Sequence, residues 1–174
     1  LLANKGYNIE KTYSRVLTCT MVKAMRDAPI IIGSFISMRE DVKRELATGD
    51  YNYVIYEHDH KYLPSRNPGE YKDYIVPSNI IVNRGLYENA DLVLCQSTHH
   101  EEIINKNLNL SNTFNLGSSL WSLDELNELS KLDISKNKKA AIVASDNPVK
   151  NQAACEKYCK SKNIKWFASV WDTP

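Results

Sequence analysis

Short apolar runs alternate with amphipathic helical patterns from residue 30 to the end of this 174-residue chain. Ile30–Phe35 and Tyr53–Tyr56 are the clearest runs, and both are rich in the β-branched and aromatic residues that favour buried strands. Strands that alternate with helices predict a mostly parallel sheet whose crossovers are right-handed. The continuous apolar character of Ile30–Phe35 is typical of a sheet with helices on both faces. The sequence therefore predicts an α/β fold.

The same patterns place the individual elements. Strands are predicted at 30–35, 53–56, 91–97, 113–116, 140–144 and 166–170, and helices at 14–25, 40–46, 78–87, 98–107, 122–132 and 148–162. Two of the helices are predicted to begin at capping boxes, Thr98 with Glu101 and Ser122 with Glu125. A lysine- and asparagine-rich joint at 135–139 predicts a boundary, with a first domain at 1–134. Residues 135–174 are then either the beginning of a second domain or the last β-α-β unit of the same sheet.

Charge and hydropathy narrow the class of protein. The 22 basic residues nearly balance the 21 acidic ones, so the strongly basic surface typical of nucleic-acid binding is not expected. No apolar run approaches the roughly 20 residues of a membrane-spanning helix, and the first residues lack the pattern of a signal peptide. The four cysteines are too few and too widely spaced for a secreted disulfide scaffold. We therefore expect free thiols and a cytoplasmic protein.

A run of ionisable residues follows the predicted strand Tyr53–Tyr56 without an apolar spacer. The run is Glu57, His58, Asp59 and His60. Burying such groups is costly unless they have partners, so an ordinary core strand is not expected to end in this way. In open α/β sheets, ligands bind just beyond the carboxyl ends of the strands. This run is therefore the first candidate for chemistry.

Several short motifs together resemble the GT-B-fold glycosyltransferases, in particular the large retaining family 4, and also phage-encoded glycosyltransferase-like proteins. The stretch 86–97 (LYENADLVLCQS) resembles a family signature in which a helix ends in Ala-Asp, an apolar strand follows, and a serine opens the next helix. His58-Asp59 resembles the His-Asp that follows a strand in many of these enzymes. The segments 115–117 and 140–151 resemble the family's late Asn-Gly turn and the opening of its second domain.

The resemblance implies a Rossmann-like amino-terminal domain and the start of a second one. It implies transfer of a sugar from a nucleotide-sugar donor to a sugar or other hydroxyl acceptor, without a metal ion or another cofactor. His58 and Asp59 are then the candidate catalytic residues, with Asp59 orienting the imidazole. The candidate substrate-binding residues are Glu57, His60, Arg66, Asn67, Ser97, Gly117, Ser145, Asn147 and Lys150.

Two features depart from the family pattern. No glycine-rich loop follows the first strand, and the carboxyl-terminal region with the paired glutamates and the donor-phosphate residues does not occur in this sequence. We therefore expect that a donor-side domain is missing and that this chain alone transfers no sugar.

The residues themselves leave other interpretations open. A single flavodoxin-like domain with polar strand ends would be a non-catalytic binding module. His58, His60, His99 and His100 would, with Asp59, supply ligands for a metal-dependent hydrolase, although adjacent helical residues diverge by ~100° and rarely ligate together. The amides around Ser145 and Asn147 suit a phosphate at a helix start, or simply cap the helix ahead of Pro148. Glu57 is equally suited to pair with Lys61 or with Arg66.

Overall fold

A computed structural model describes residues 2–118, 121–132, 139–146 and 150–170. Its contacts divide the chain into two compact units, Leu1–Ser122 and Leu123–Pro174. Of the six strands in the described residues, the first four belong to the first unit and the last two to the second.

The first unit is built on a parallel sheet of four strands. They are β1 (Ile30–Ile32), β2 (Tyr53–Glu57), β3 (Leu92–Cys95) and β4 (Thr113–Asn115), and they lie side by side in chain order. All three neighbouring pairs are parallel, with Glu57 opposite Cys95 and Cys95 opposite Asn115. The α/β prediction is therefore confirmed, and the architecture is Rossmann-like. The register brings the carboxyl ends of β2, β3 and β4 to one edge.

Four α-helices flank this sheet, the first before β1 and the others between successive strands. They are α1 (Cys19–Ala24), α2 (Glu40–Leu46), α3 (Arg84–Glu88) and α4 (Thr98–Leu108). The predicted helix at 14–25 is shorter, because the Thr18 side chain accepts the Met21 amide and starts α1 there. The predicted helix at 78–87 is broken at Asn83, which has a left-handed backbone and donates its side-chain amide to the Lys61 carbonyl.

The hydrophobic core lies on one face of the sheet. Ile32, Ile55 and Val93 are in register and buried, and they pack with residues of all four helices. On the opposite face, Ile31 and Phe114 are more than half exposed. The sequence predicts helices on both faces, whereas these exposed side chains leave the second face largely open. Strands added in chain order by crossovers of one hand are expected to return the connecting helices to the same face, in agreement with a one-sided core.

In the described residues, the second unit contains two helices and a separate sheet of two strands. The helix α5 (Leu123–Ser130) precedes β5 (Lys139–Ala144), α6 (Gln152–Ser161) and β6 (Lys165–Val170), and β5 pairs with β6 in parallel. The sequence pattern places α5 in the first domain, whereas its contacts place it in the second unit. Most of the predicted joint at 135–139 lies outside the described residues. Among the described helices, none is long and apolar enough to cross a membrane.

All four cysteines are free, but they differ in burial. Cys155 is exposed, whereas Cys95 is fully buried on β3 and burial raises its pKa to about 12. Because the thiolate is the reactive form, we expect a thiol reagent to label Cys155 within seconds and Cys95 only after unfolding. Mass spectrometry of non-reduced protein during a labelling time course checks both points. A disulfide between Cys155 and Cys159, or early labelling of Cys95, would contradict this expectation.

Candidate functional site

The carboxyl end of β2 is anchored by a buried carboxylate. Glu57 continues the inward alternation of Tyr53 and Ile55, and its side chain is 0% exposed. One oxygen, Oε1, accepts the Asp59 backbone amide at 2.8 Å and lies 3.2 Å from Lys61 Nζ. The other, Oε2, accepts the hydroxyl of Tyr87 from α3. Glu57 thus pairs with Lys61, and all these contacts are internal to the first unit.

The charge of this carboxylate is stabilised by those contacts. Burial acts to raise the pKa of Glu57, but the Lys61 ammonium and the three hydrogen bonds outweigh burial, and its pKa is lowered. Lys61 is itself 0% exposed in its side chain, and its ammonium lies 5.9 Å from the centre of the Phe35 ring. The pair is therefore an ion pair held inside the core, and the predicted role of Glu57 in binding substrate finds no open surface here.

His58 and Asp59 lie beside this anchor and reach the surface. Asp59 Oδ2 is 3.2 Å from His58 Nδ1, and His58 Nε2 is 3.1 Å from the Gly33 carbonyl just after β1. Carboxylate and carbonyl oxygens only accept hydrogen bonds, so the His58 ring is the donor in these contacts. The side chain of His58 is 35% exposed. The two candidate catalytic residues thus form a hydrogen-bonded pair bridging the ends of β1 and β2.

Arg66, which lies in the long loop 61–77 after β2, also contacts Asp59. Its guanidinium lies 3.5 Å from Asp59 Oδ2. Burial acts to raise the pKa of Asp59, but the contact with the His58 ring and the charges of Lys61 and Arg66 outweigh burial, and its pKa is lowered. Asn67 next to it has a local role, because its side chain accepts the Gly69 amide and starts a short 3₁₀ turn at Pro68–Glu70. Arg66 is thus in contact with the candidate site, whereas the bonds of Asn67 shape the loop.

The segment 61–77 is held against α4 by one buried asparagine. The Asn107 side chain accepts the Val76 amide at 2.8 Å and donates to the Tyr74 carbonyl at 2.9 Å and to the Tyr62 hydroxyl at 3.2 Å. Asparagine in a helix interior is a weak sequence signal, and local patterns do not identify this residue. Its three contacts show that the long loop is an ordered part of the first unit.

We expect Asn107→Leu to lower the free energy of unfolding by about 2–4 kcal/mol, because it leaves the Val76 amide and other buried polar groups without partners. Without the bonds to Asn107, the segment 61–77 should also become sensitive to proteases. Urea unfolding and limited proteolysis measure the two effects. Asn105→Leu on the same helix is the matched control, because the Asn105 side chain donates to Thr113 on β4. Equal losses in the two variants would contradict the role of Asn107.

His60 and His100 form a second, more deeply buried pair. Their ring centres are 4.5 Å apart in an edge-to-face arrangement, and His60 Nδ1 and His100 Nε2 are buried without a hydrogen-bond partner. Burial, together with the charge that each ring would place on the other, lowers the pKa of His60 to about 4, and burial also lowers the pKa of His100. His60 has a left-handed backbone, with φ of 51°. The pair is therefore neutral at physiological pH.

These shifts predict a pH-dependent stability. The folded state binds fewer protons than the unfolded state between about pH 6.5 and pH 4, so the free energy of unfolding should fall as the pH falls through this window. For His60 alone the loss is on the order of 3 kcal/mol. Urea midpoints from pH 7 to pH 4 measure it. His60→Asn, which tolerates the left-handed backbone, should flatten the slope, whereas His99→Asn should not, because His99 is 66% exposed.

Ser97 and Gly117 lie at the ends of the next two strands. Ser97 is the N-cap of α4 and accepts the His100 amide at 3.2 Å, so Thr98 is the first helical residue and not the predicted cap. Gly117 has φ of 70°, and its amide donates to the Asn115 side chain at 2.7 Å. Both residues are exposed at the sheet edge where β2 ends. These bonds are those of a helix cap and a turn.

The remaining predicted residues belong to the second unit. The Ser145 amide donates to the Gln152 side chain at 2.9 Å, and Lys150 is exposed before α6. Asn147 lies outside the described residues.

The four histidines do not converge on one point. His99 packs its ring against Tyr74 and lies 4.0 Å from Glu102, away from the pair formed by His60 and His100. In the part of the chain that the structure describes, no three His, Cys, Asp or Glu side chains are arranged to hold a metal ion. The hydrolase hypothesis therefore gains no support from the geometry.

Comparison of the chain with models of protein families, with curated proteins and with solved structures found no match.

Proposed function

We propose that this chain is the acceptor-side part of a glycosyltransferase of the GT-B type, which transfers a sugar from a nucleotide-sugar donor to a hydroxyl acceptor. The observation that carries the proposal is the pair formed by His58 and Asp59. The pair lies at the carboxyl end of β2. The His58 side chain is partly exposed, and its Nε2 contacts the Gly33 carbonyl just after β1. This is the edge of a Rossmann-like sheet where ligands bind.

In this proposal Asp59 holds the ring through Nδ1, and the reacting sugar replaces the Gly33 carbonyl as the hydrogen-bond partner of His58 Nε2. A donor oriented in this way stabilises charge that develops on the sugar. Arg66 and the exposed ends of β3 and β4, at Ser97 and Gly117, offer further polar groups along the same edge. The family resemblance also assigns contacts with the donor phosphates to Ser145 and Lys150 of the second unit and to Asn147, which lies outside the described residues. The rest of a donor-side domain would come from outside these residues.

An assay of the full-length gene product tests the proposal. A panel of UDP-, GDP-, ADP- and dTDP-sugars is incubated with the protein, and released nucleoside diphosphate is measured. We expect one nucleotide class to be hydrolysed slowly and to be turned over faster when a sugar acceptor is added. Absence of release and of binding for every donor would overturn the proposal.

A non-catalytic binding module is the second candidate. The observation that favours it is that both ring nitrogens of His58 already contact protein oxygens, those of Asp59 and of the Gly33 carbonyl. Donor binding without any nucleotide release in the same assay would favour this second function.

A further inference from the structure

We infer that Glu57 is a positioning residue that fixes the hydrogen-bonded pair of His58 and Asp59 from inside the core. The family resemblance implies contact with substrate, but the carboxylate is fully buried and joins the interior to the turn that carries the pair. The inference rests on the proposed function for the meaning of that pair in catalysis.

In the core, the side-chain partners of Glu57 are Tyr87 and Lys61, and both are held by further contacts. Tyr87, which donates its hydroxyl to Glu57, packs edge-on against Phe35 at 5.7 Å and Tyr62 at 6.2 Å between ring centres. Lys61 is tied through its backbone carbonyl to the Asn83 side chain. Glu57 therefore has two partners that are themselves fixed by separate parts of the chain.

The exterior side is a single backbone hydrogen bond. The Asp59 amide donates to Glu57 Oε1 at 2.8 Å, and the next residue, His60, adopts a left-handed backbone. A side chain that accepts the amide two residues on is a known way to fix a turn. This bond sets the direction of Asp59, and Asp59 in turn contacts His58 Nδ1. Losing the acceptor would free the turn without touching His58 itself.

Burying an ion pair removes the hydration of both charges, and this loss opposes folding. Hydrophobic residues of similar volume often serve stability equally well or better. The Glu57 carboxylate does something that such residues cannot do, because it accepts the Asp59 amide. Stability alone therefore does not account for it, whereas orientation of the catalytic pair does.

Two double variants separate positioning from packing. Glu57→Gln with Lys61→Met removes both buried charges but keeps an oxygen acceptor for the Asp59 amide. Glu57→Leu with Lys61→Met removes the same charges and also the acceptor. Neither leaves an unpaired charge in the core, so both are expected to fold, and urea unfolding checks this.

The first readout needs no activity. Ring ¹⁵N shifts of the histidines are recorded by NMR in the 174-residue chain. We expect the glutamine variant to keep the His58 pattern of the unaltered chain and the leucine variant to change it, while exposed His99 stays constant in both. Unchanged His58 shifts in the leucine variant would overturn the inference, and so would equal changes in the two variants.

The second readout is turnover in the full-length gene product. We expect the leucine variant to lower kcat by ~10-fold at nearly constant KM, because a small misplacement of a catalytic group lowers the rate strongly. The glutamine variant should retain most of the kcat of the unaltered protein. His58→Ala should cost less in the leucine background than alone, because the two changes disturb one unit. Additive losses would count against the inference. If the unaltered protein turns over no donor, the proposed function fails, and the ¹⁵N shifts alone decide the role of Glu57.

Discussion

Replacing Glu57 alone with glutamine is expected to lower the free energy of unfolding by about 3–5 kcal/mol. The substitution keeps the shape of the side chain but removes the carboxylate from Lys61, whose ammonium is 3.2 Å away and 0% exposed. An ammonium without a countercharge in the core must either lose its proton or draw water inward, and both are costly. The loss corresponds to a change of about 10²-fold or more in the folding equilibrium, at roughly 1.4 kcal/mol per tenfold.

Urea unfolding at pH 7 measures this effect, and two variants calibrate it. Combining Glu57→Gln with Lys61→Met should recover most of the stability, because no unpaired charge remains. Glu40→Gln is the matched surface control, since Glu40 also pairs with a lysine, Lys43, but its side chain is 70% exposed. Its effect should stay within about 1 kcal/mol. A loss this small for Glu57→Gln would show that the buried pair contributes little.

The strands of the first unit were predictable because their composition and their parity agree. Tyr53, Ile55 and Glu57 occupy alternate positions and all face inward, whereas the predicted strand ends at Tyr56 and Glu57 is predicted to bind substrate. Its partner Tyr87 comes from α3, far along the chain, and no local pattern identifies that contact. Neither the burial of Glu57 nor its network of contacts was therefore predicted from the sequence.

The helices show where tertiary contacts override local patterns. The predicted helix at 78–87 fails at Asn83, because the Asn83 side chain bonds to the Lys61 carbonyl across the fold. Leu123, Leu126 and Leu129 recur along α5 at the spacing of an amphipathic helix, yet all three are exposed in the described structure. The contact of His58 with the Gly33 carbonyl likewise depends on which strand lies next to β2. Strand order is a global property that short motifs do not encode.

Replacing His58 with alanine is expected to lower turnover of the full-length gene product by ~10²-fold or more, as for a positioned group in general acid–base or hydrogen-bond catalysis. The melting temperature should change little, because the side chain is 35% exposed and contacts only Gly33, Asp59 and the ring of Tyr56 among the described contacts. Steady-state kinetics with the nucleotide-sugar identified in the donor panel, together with thermal unfolding of the same samples, measures both quantities.

His99→Ala is the matched control, since it removes an exposed imidazole from the first turn of α4, near the same sheet edge. It should leave turnover and stability unchanged. The changes in turnover and in stability caused by His58→Ala also distinguish two roles for the contact between His58 and Gly33. If His58 only fastens the end of β2 to the end of β1, its removal lowers stability and leaves turnover intact, and the catalytic assignment is wrong. If it is held there to face a substrate, turnover falls while the fold persists, because the buried anchor at Glu57 still holds the turn.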